Sequence, residues 1–139
     1  MPDPRITLNP PALSPPTGAP DTPFYSWVTK RGNMVFLAGM SPYAADKRLV
    51  GTTLGEQTRQ CLANMTAAMA AAGGSVHDVM AITVYVQETD LQRDVYPEIN
   101  PAVFDTFGMA PPARTVIGGV ALPRPTERVL ISATAVLPG

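Results

Sequence analysis

The chain has 139 residues, 45% of them hydrophobic and 15% charged, with a formal net charge of -1, proportions that fit one globular domain spanning 1–139. Its Lys and Arg residues form no cluster, which argues against nucleic acid as a ligand; no apolar run reaches bilayer length, and the N-terminus lacks the basic-then-apolar layout of a signal peptide. The lone cysteine, Cys61, excludes a disulfide framework and makes the cytoplasm the default compartment, and the lone histidine, His77, in a polar turn, makes a histidine-based metal site or triad a poor candidate.

Prolines crowd residues 1–23, from Pro2 to Pro23, so this segment reads as an extended arm, with a short strand at Ile6-Thr7-Leu8. Tyr25 to Lys30 reads as a strand, Arg31-Gly32-Asn33 as a turn and Met34 to Gly39 as the return strand of a hairpin. Thr52-Thr53 before Leu54, with Glu56 following, mark a helix start. Leu54, Thr58, Cys61, Leu62, Met65, Met69 and Ala72 then recur at helical spacing, and Gly73-Gly74 stop the helix. The methionines and Cys61 on that stripe read as core filling.

Val79 to Gln87 alternates as a strand, with Met80, Ile82, Val84 and Val86 on one face and Ala81, Thr83 and Tyr85 on the other. A turn is expected over Asp90 to Arg93. A second helical pattern runs from about Tyr96 to Phe107, with Val103, Phe104 and Phe107 apolar and Pro101 restricting where it starts. Strands are expected over Arg114–Leu122 and Arg128–Val136. The order β-β-α-β-α-β-β implies an α+β domain, one sheet with two helices packed on one face.

Arg114 opens its strand behind Pro111-Pro112-Ala113. An arginine there presents a planar fork of donors from a fixed position, suited to a small carboxylate. The same residue would also serve as a structural ion-pair partner for a nearby acid.

The helix start Gln57-Thr58-Arg59-Gln60-Cys61-Leu62-Ala63-Asn64, the helix exit Ala72 to Val79, and Asn100, Phe107, Pro112-Ala113-Arg114 and Leu122-Pro123 in the C-terminal half together resemble the Rid family, also called YjgF, of reactive imine and enamine deaminases. The first of these resembles the family's Gln-Thr-x-Gln-x-Leu-x-Asn pattern. The resemblance implies a chorismate-mutase-like fold, a homotrimer with sites between subunits, and hydrolysis of 2-imino or 2-enamino acids to 2-oxo acids and ammonia without metal or organic cofactor. By position it implies that Arg114 holds the substrate carboxylate, and that Tyr25, Gly39 and Asn100 lie at the site.

The departures bear on chemistry. The family's Ser-Gly-Gln is Ala38-Gly39-Met40 here, and the cysteine often found two residues after the arginine is Val116, so Ala38, Met40 and Val116 are expected as apolar pocket residues. Aligning Ala133-Thr134-Ala135 on the family's last strand puts Ser132 where the family has a glutamate that places the attacking water. Glu127 lies near it in sequence, in or beside the preceding turn, and is the other candidate. A missing general acid or base costs ~10²–10⁴-fold in rate. Two functions therefore stand at this point: an imine/enamine hydrolase with Arg114, Tyr25 and Ser132 as its working residues, and a non-catalytic trimer that binds small carboxylates. Endoribonuclease activity, known for some relatives, is disfavoured by the absence of a basic patch.

Overall fold

The computed structural model describes residues 3–16, 22–87 and 93–139. Six strands form one sheet: β1 (Ile6–Leu8), β2 (Val28–Arg31), β3 (Met34–Met40), β4 (Val79–Gln87), β5 (Ala113–Val120) and β6 (Val129–Val136). Their spatial order is β1-β2-β3-β6-β4-β5. All pairs are antiparallel except β4 with β5, which are parallel. Helices α1 (Leu54–Ala71) and α2 (Tyr96–Phe107) pack against each other, and α1 packs against β3 and β6.

Local signals set the ends of α1. The Thr53 side chain accepts from the Glu56 N–H, and the Glu56 carboxylate accepts from the Thr53 N–H, a reciprocal cap. At the far end Gly73 adopts φ +93, a left-handed conformation that glycine takes without a steric cost. The N–H groups of Gly74 and Gly73 then close on the carbonyls of Met69 and Ala70. The expected stripe of Leu54, Thr58, Cys61, Leu62, Met65, Met69 and Ala72 is buried throughout. It meets the inner face of the sheet, where Val35, Leu37, Ile82, Val84, Ile131 and Ala133 are buried.

The element boundaries move by one to three residues in places: β2 begins at Val28 rather than Tyr25, and β5 ends at Val120 rather than Leu122. Pro101 sits inside α2, which begins ahead of it with Pro97 in its first turn. The expected turn over 90–93 lies, apart from Arg93, outside the described residues.

Two β-bulges correct the side-chain assignments. On β4 the register with β6 shifts between Val79 and Ala81, so Met80 leaves the inner face and stands 60% exposed. On β3 it shifts between Leu37 and Met40. The extra residue turns Met40 into the core, where it is fully buried, and leaves the Ala38-Gly39 segment on the outer side. On α2, Phe104 is exposed, while Ile99, Ala102, Val103 and Phe107 form the buried stripe.

The helices cover one face of the sheet. The other face carries Phe36 (47% exposed), Ile117 (41% exposed) and the half-buried Ala81, Thr83, Tyr85 and Ser132.

Candidate active site

The bulge on β3 helps form the wall of a cleft of about 590 Å³. Tyr25, Ala38, Gly39 and Leu130 line it beside Ser41, Tyr43, Arg124 and Glu127, with Phe24 and Ser14 to Pro16 of the arm along its edge. The arm is pinned by the buried Leu13 and by Trp27, whose indole N–H donates to the Ser14 carbonyl at 2.6 Å and whose backbone N–H donates to Asn9 Oδ1 at 2.9 Å. Trp27 also meets Tyr25 edge-to-face, with ring centroids 5.1 Å apart, which helps fix the phenol. Gly39 packs directly under Leu130: a Cβ there would meet the Leu130 side chain, which would have to move aside.

Glu127 is the acid of the cleft, 4% exposed although it sits on the loop before β6. Its carboxylate accepts from the Arg124 N–H at 3.2 Å and from the Ser41 hydroxyl. Burial pushes its pKa above the ordinary carboxylate value, against the opposing pull of these two bonds and the Arg124 guanidinium. Burial, reinforced by the Glu127 charge, also raises the Tyr25 pKa, so the phenol stays protonated near neutral pH and can donate.

Two buried glutamines hold the Glu127 loop. Gln57, on the inner stripe of α1, donates from Nε2 to the Thr126 carbonyl at 3.0 Å and the Gly51 carbonyl at 3.3 Å, and accepts from the Arg128 N–H at 2.7 Å. Gln87, at the end of β4, donates to the Glu127 carbonyl at 3.0 Å and accepts from the Leu122 N–H at 3.3 Å. Asn64, two turns further along the same face of α1, fixes the segment after β3 by donating to the carbonyls of Ser41 and Tyr43 at 2.8 and 2.9 Å.

Arg114, Asn100 and Val116 form a second cluster at the outer edge strand, β5. The Arg114 guanidinium donates to Asn100 Oδ1 at 2.7 Å and lies 5.5 Å from the Tyr96 ring centroid. Among the described residues no carboxylate pairs with it, so the ion-pair role has no partner there, and the residue is exposed. Val116 is half-buried and lines a shallow depression with Tyr96 and Gly118.

Within one chain the expected residues thus fall into two groups, Tyr25, Ala38 and Gly39 in the cleft and Arg114, Asn100 and Val116 at the β5 edge. Two expectations are corrected. Met40 lines neither group, because the bulge sends it into the core. Ser132 lies in a separate hollow with Phe36, Ala81 and Thr83; the β6 residue in the cleft is Leu130, one strand repeat earlier on the same face. Ser41, Tyr43, Arg124 and Phe24 are cleft residues that sequence reasoning did not find. One available signal was Gln57, a polar side chain on a helix stripe destined for burial, which must be bonded to something.

Cys61 is buried with its thiol pKa raised well above the ordinary value by burial, an inert thiol of the core. Among the described residues no group of three or more His, Cys, Asp or Glu side chains is placed to hold a metal ion, and no helix is long and apolar enough to cross a membrane.

The endoribonuclease L-PSP family model matches residues 17–137. A RutC family protein of Pyrococcus horikoshii is 34% identical over 101 residues, 72% of this chain and 77% of the relative. A 2-iminobutanoate/2-iminopropanoate deaminase of Dermatophagoides farinae is 26% identical over 114 residues, 81% of this chain and 85% of the relative. The crystal structure of RidA from an Antarctic Psychrobacter superposes with a TM-score of 0.80 at 26% identity, over 95% of this chain and 99% of that one. The two helices on a six-stranded mixed sheet, the helix and Pro-Ala-Arg segments and the match over 17–137 agree, and the chain belongs to the Rid/YjgF family.

Proposed function

We propose that this chain is a hydrolase of 2-imino and 2-enamino acids, working without metal or organic cofactor as a homotrimer whose sites form between subunits. The Arg114–Asn100 cluster of one subunit and the Tyr25–Glu127 cleft of its neighbour are the two halves. The reading is carried by one observation, a buried carboxyl with a raised pKa facing a cleft beside a protonated phenol. The uncovered sheet face, with Phe36 and Ile117 outward, supports the trimer, since such a face needs a partner to bury it.

The chemistry needs three acts. Arg114 takes the substrate carboxylate through its guanidinium, oriented by Asn100. The Tyr25 hydroxyl and the Gly39 backbone bind the nitrogen or the water. Ionised Glu127 removes a proton from water as its oxygen bonds to the imine carbon, and returns it to the nitrogen of the carbinolamine. It then takes the proton of the new hydroxyl as the C=O bond forms and the C–N bond breaks, and passes it to the departing ammonia. An iminium acid and one water thus give a 2-oxo acid and ammonium, with both water protons ending on nitrogen. The raised pKa of Glu127 suits a group that takes and returns a proton twice in a single turnover.

The test generates 2-aminoacrylate in situ and follows pyruvate, with wild type, Arg114→Ala and Glu127→Gln in parallel. Wild type should exceed spontaneous hydrolysis, and both variants should fall toward it. One observation favours the other reading, a carboxylate-binding trimer without turnover: β6, Val129–Val136, carries no acid at all. Binding of 2-oxo acids that Arg114→Ala abolishes, with wild-type hydrolysis no faster than background, would establish it. Light scattering that finds only a concentration-independent monomer would sink the shared site.

A further inference from the structure

We infer that the substrates are 2-imino acids with an aromatic or bulky apolar side chain, received by the wall of Phe24, Tyr43, Ala38 and Leu130. This rests on the hydrolase reading above and extends it to the substrate class. Size comes first, and it does not decide: the cleft of about 590 Å³ belongs to the single chain, and the neighbour's Arg114 half would close part of it, so the class rests on the lining.

The walls come second. Ala38, Gly39 and Leu130 present carbon along the cleft beside Glu127. Phe24 lines the same cleft and stands 72% exposed, a large ring with an uncovered face beside the reacting groups. Tyr43 offers a further ring opposite the arm and is held by the Arg124 guanidinium, 5.0 Å from its centroid. An aryl or branched side chain entering here gains apolar burial and edge or face contacts with rings, with no polar group of its own to desolvate.

The cleft also carries two cations, Arg124 and Lys47. They would suit an acidic side chain instead. Arg124 is already engaged with Tyr43 and sits beside Glu127, whose charge a second substrate carboxylate would have to approach. The apolar walls therefore decide the class.

The experiment releases imino acids from phenylalanine, leucine, alanine and glutamate with amino acid oxidases at matched flux and measures the enzyme's acceleration by competition with semicarbazide. In parallel, calorimetry compares phenylpyruvate with pyruvate on the wild type and on Glu127→Gln. The phenylalanine-derived imine should show kcat/KM at least about tenfold above the alanine-derived one, and phenylpyruvate should bind correspondingly tighter. Phe24→Ala and Leu130→Ser should each cut that ratio several-fold, mainly through KM. Equal turnover of all four, or preference for the glutamate-derived imine with loss in Arg124→Gln, overturns the inference and leaves the hydrolase standing. No turnover of any of them overturns the hydrolase, and the calorimetric ratio then decides the ligand class by itself: tighter phenylpyruvate binding upholds an aromatic site, and equal binding defeats it.

Discussion

Gln57→Leu should cost activity through a residue that touches no substrate. Gln57 is 1% exposed and makes three hydrogen bonds, two of them to the backbone on either side of Glu127. Leucine fills similar space but takes the acceptor from the Arg128 N–H and the donor from the Thr126 carbonyl. An orphaned buried group costs about 1–3 kcal/mol, so the loss for this pair is about 2–6 kcal/mol. A domain near the middle of the usual range of roughly 5–15 kcal/mol still folds. The Glu127 carboxyl, no longer braced by α1, loses its position, and misplacement by about 1 Å costs on the order of 10²-fold in rate. The assay pairs urea unfolding with kcat and KM for imine hydrolysis. Met69→Ala is the control: it lies twelve residues along α1, is fully buried, and should lose about 2–5 kcal/mol while keeping kcat. If Gln57→Leu and Met69→Ala lose stability alike and both keep kcat, the glutamine does not position the acid.

Four further outcomes are expected. Glu127→Gln should lower kcat about 10²–10⁴-fold and abolish the acid limb of the pH–rate profile, which in the wild type should lie above the ordinary carboxylate value of 4.5. Because the folded-state pKa is raised, the stability Glu127 contributes is complete below its unfolded value and is lost as pH rises through the folded one; thermal melts should therefore show Glu127→Gln gaining on wild type as pH climbs from about 4 toward neutral. Arg114→Lys should weaken 2-oxo acid binding nearly as much as Arg114→Ala, because an ammonium cannot reproduce a fork that serves Asn100 and a carboxylate together, and calorimetry will read it. Lys47→Gly should stabilise the chain by about 0.5–1 kcal/mol in urea unfolding, since Lys47 holds φ +68 in the turn closed by its N–H on the Ala44 carbonyl, at a steric cost of about 1–2 kcal/mol partly offset by glycine's greater chain entropy.

What the sequence disclosed and what it hid divide by range. The ends of α1 are written in Thr53, Glu56 and Gly73, a few residues from what they cap, and β4 and α2 have the predicted bounds because period 2 and period 3.6 are local signals. The placement of β6 between β3 and β4 is not local, and neither are the bulges, which exist only against a partner strand. Hence Met80 was assigned to the wrong face and Met40 to the wrong environment. Ser132 and Leu130 stand two residues apart on one face of β6, and the cleft takes Leu130 while Ser132 lines a separate hollow, a difference that strand periodicity cannot resolve. Arg114, Asn100, Tyr25, Ala38 and Gly39 are named by the family resemblance; which of them lie together in one chain depends on which strands are neighbours, and that is not a local signal.

Glu127 supplies an acid beside a strand that carries none. On β6 the cleft-facing residue is Leu130, packed against Gly39, and a carboxylate at that point would meet carbon on several sides. On the loop, Glu127 finds the Arg124 N–H and the Ser41 hydroxyl, enough to hold it in place yet not enough to cancel the burial that raises its pKa. Loops hold position poorly unless their backbone is tied down, and here Gln57 and Gln87 take up the carbonyls of Thr126 and Glu127 and the N–H of Arg128. The two glutamines come from α1 and β4, so the acid is registered to the core rather than to the turn that carries it. Leu130 and Glu127 then belong to one arrangement, a largely apolar cleft lined by a buried carboxyl.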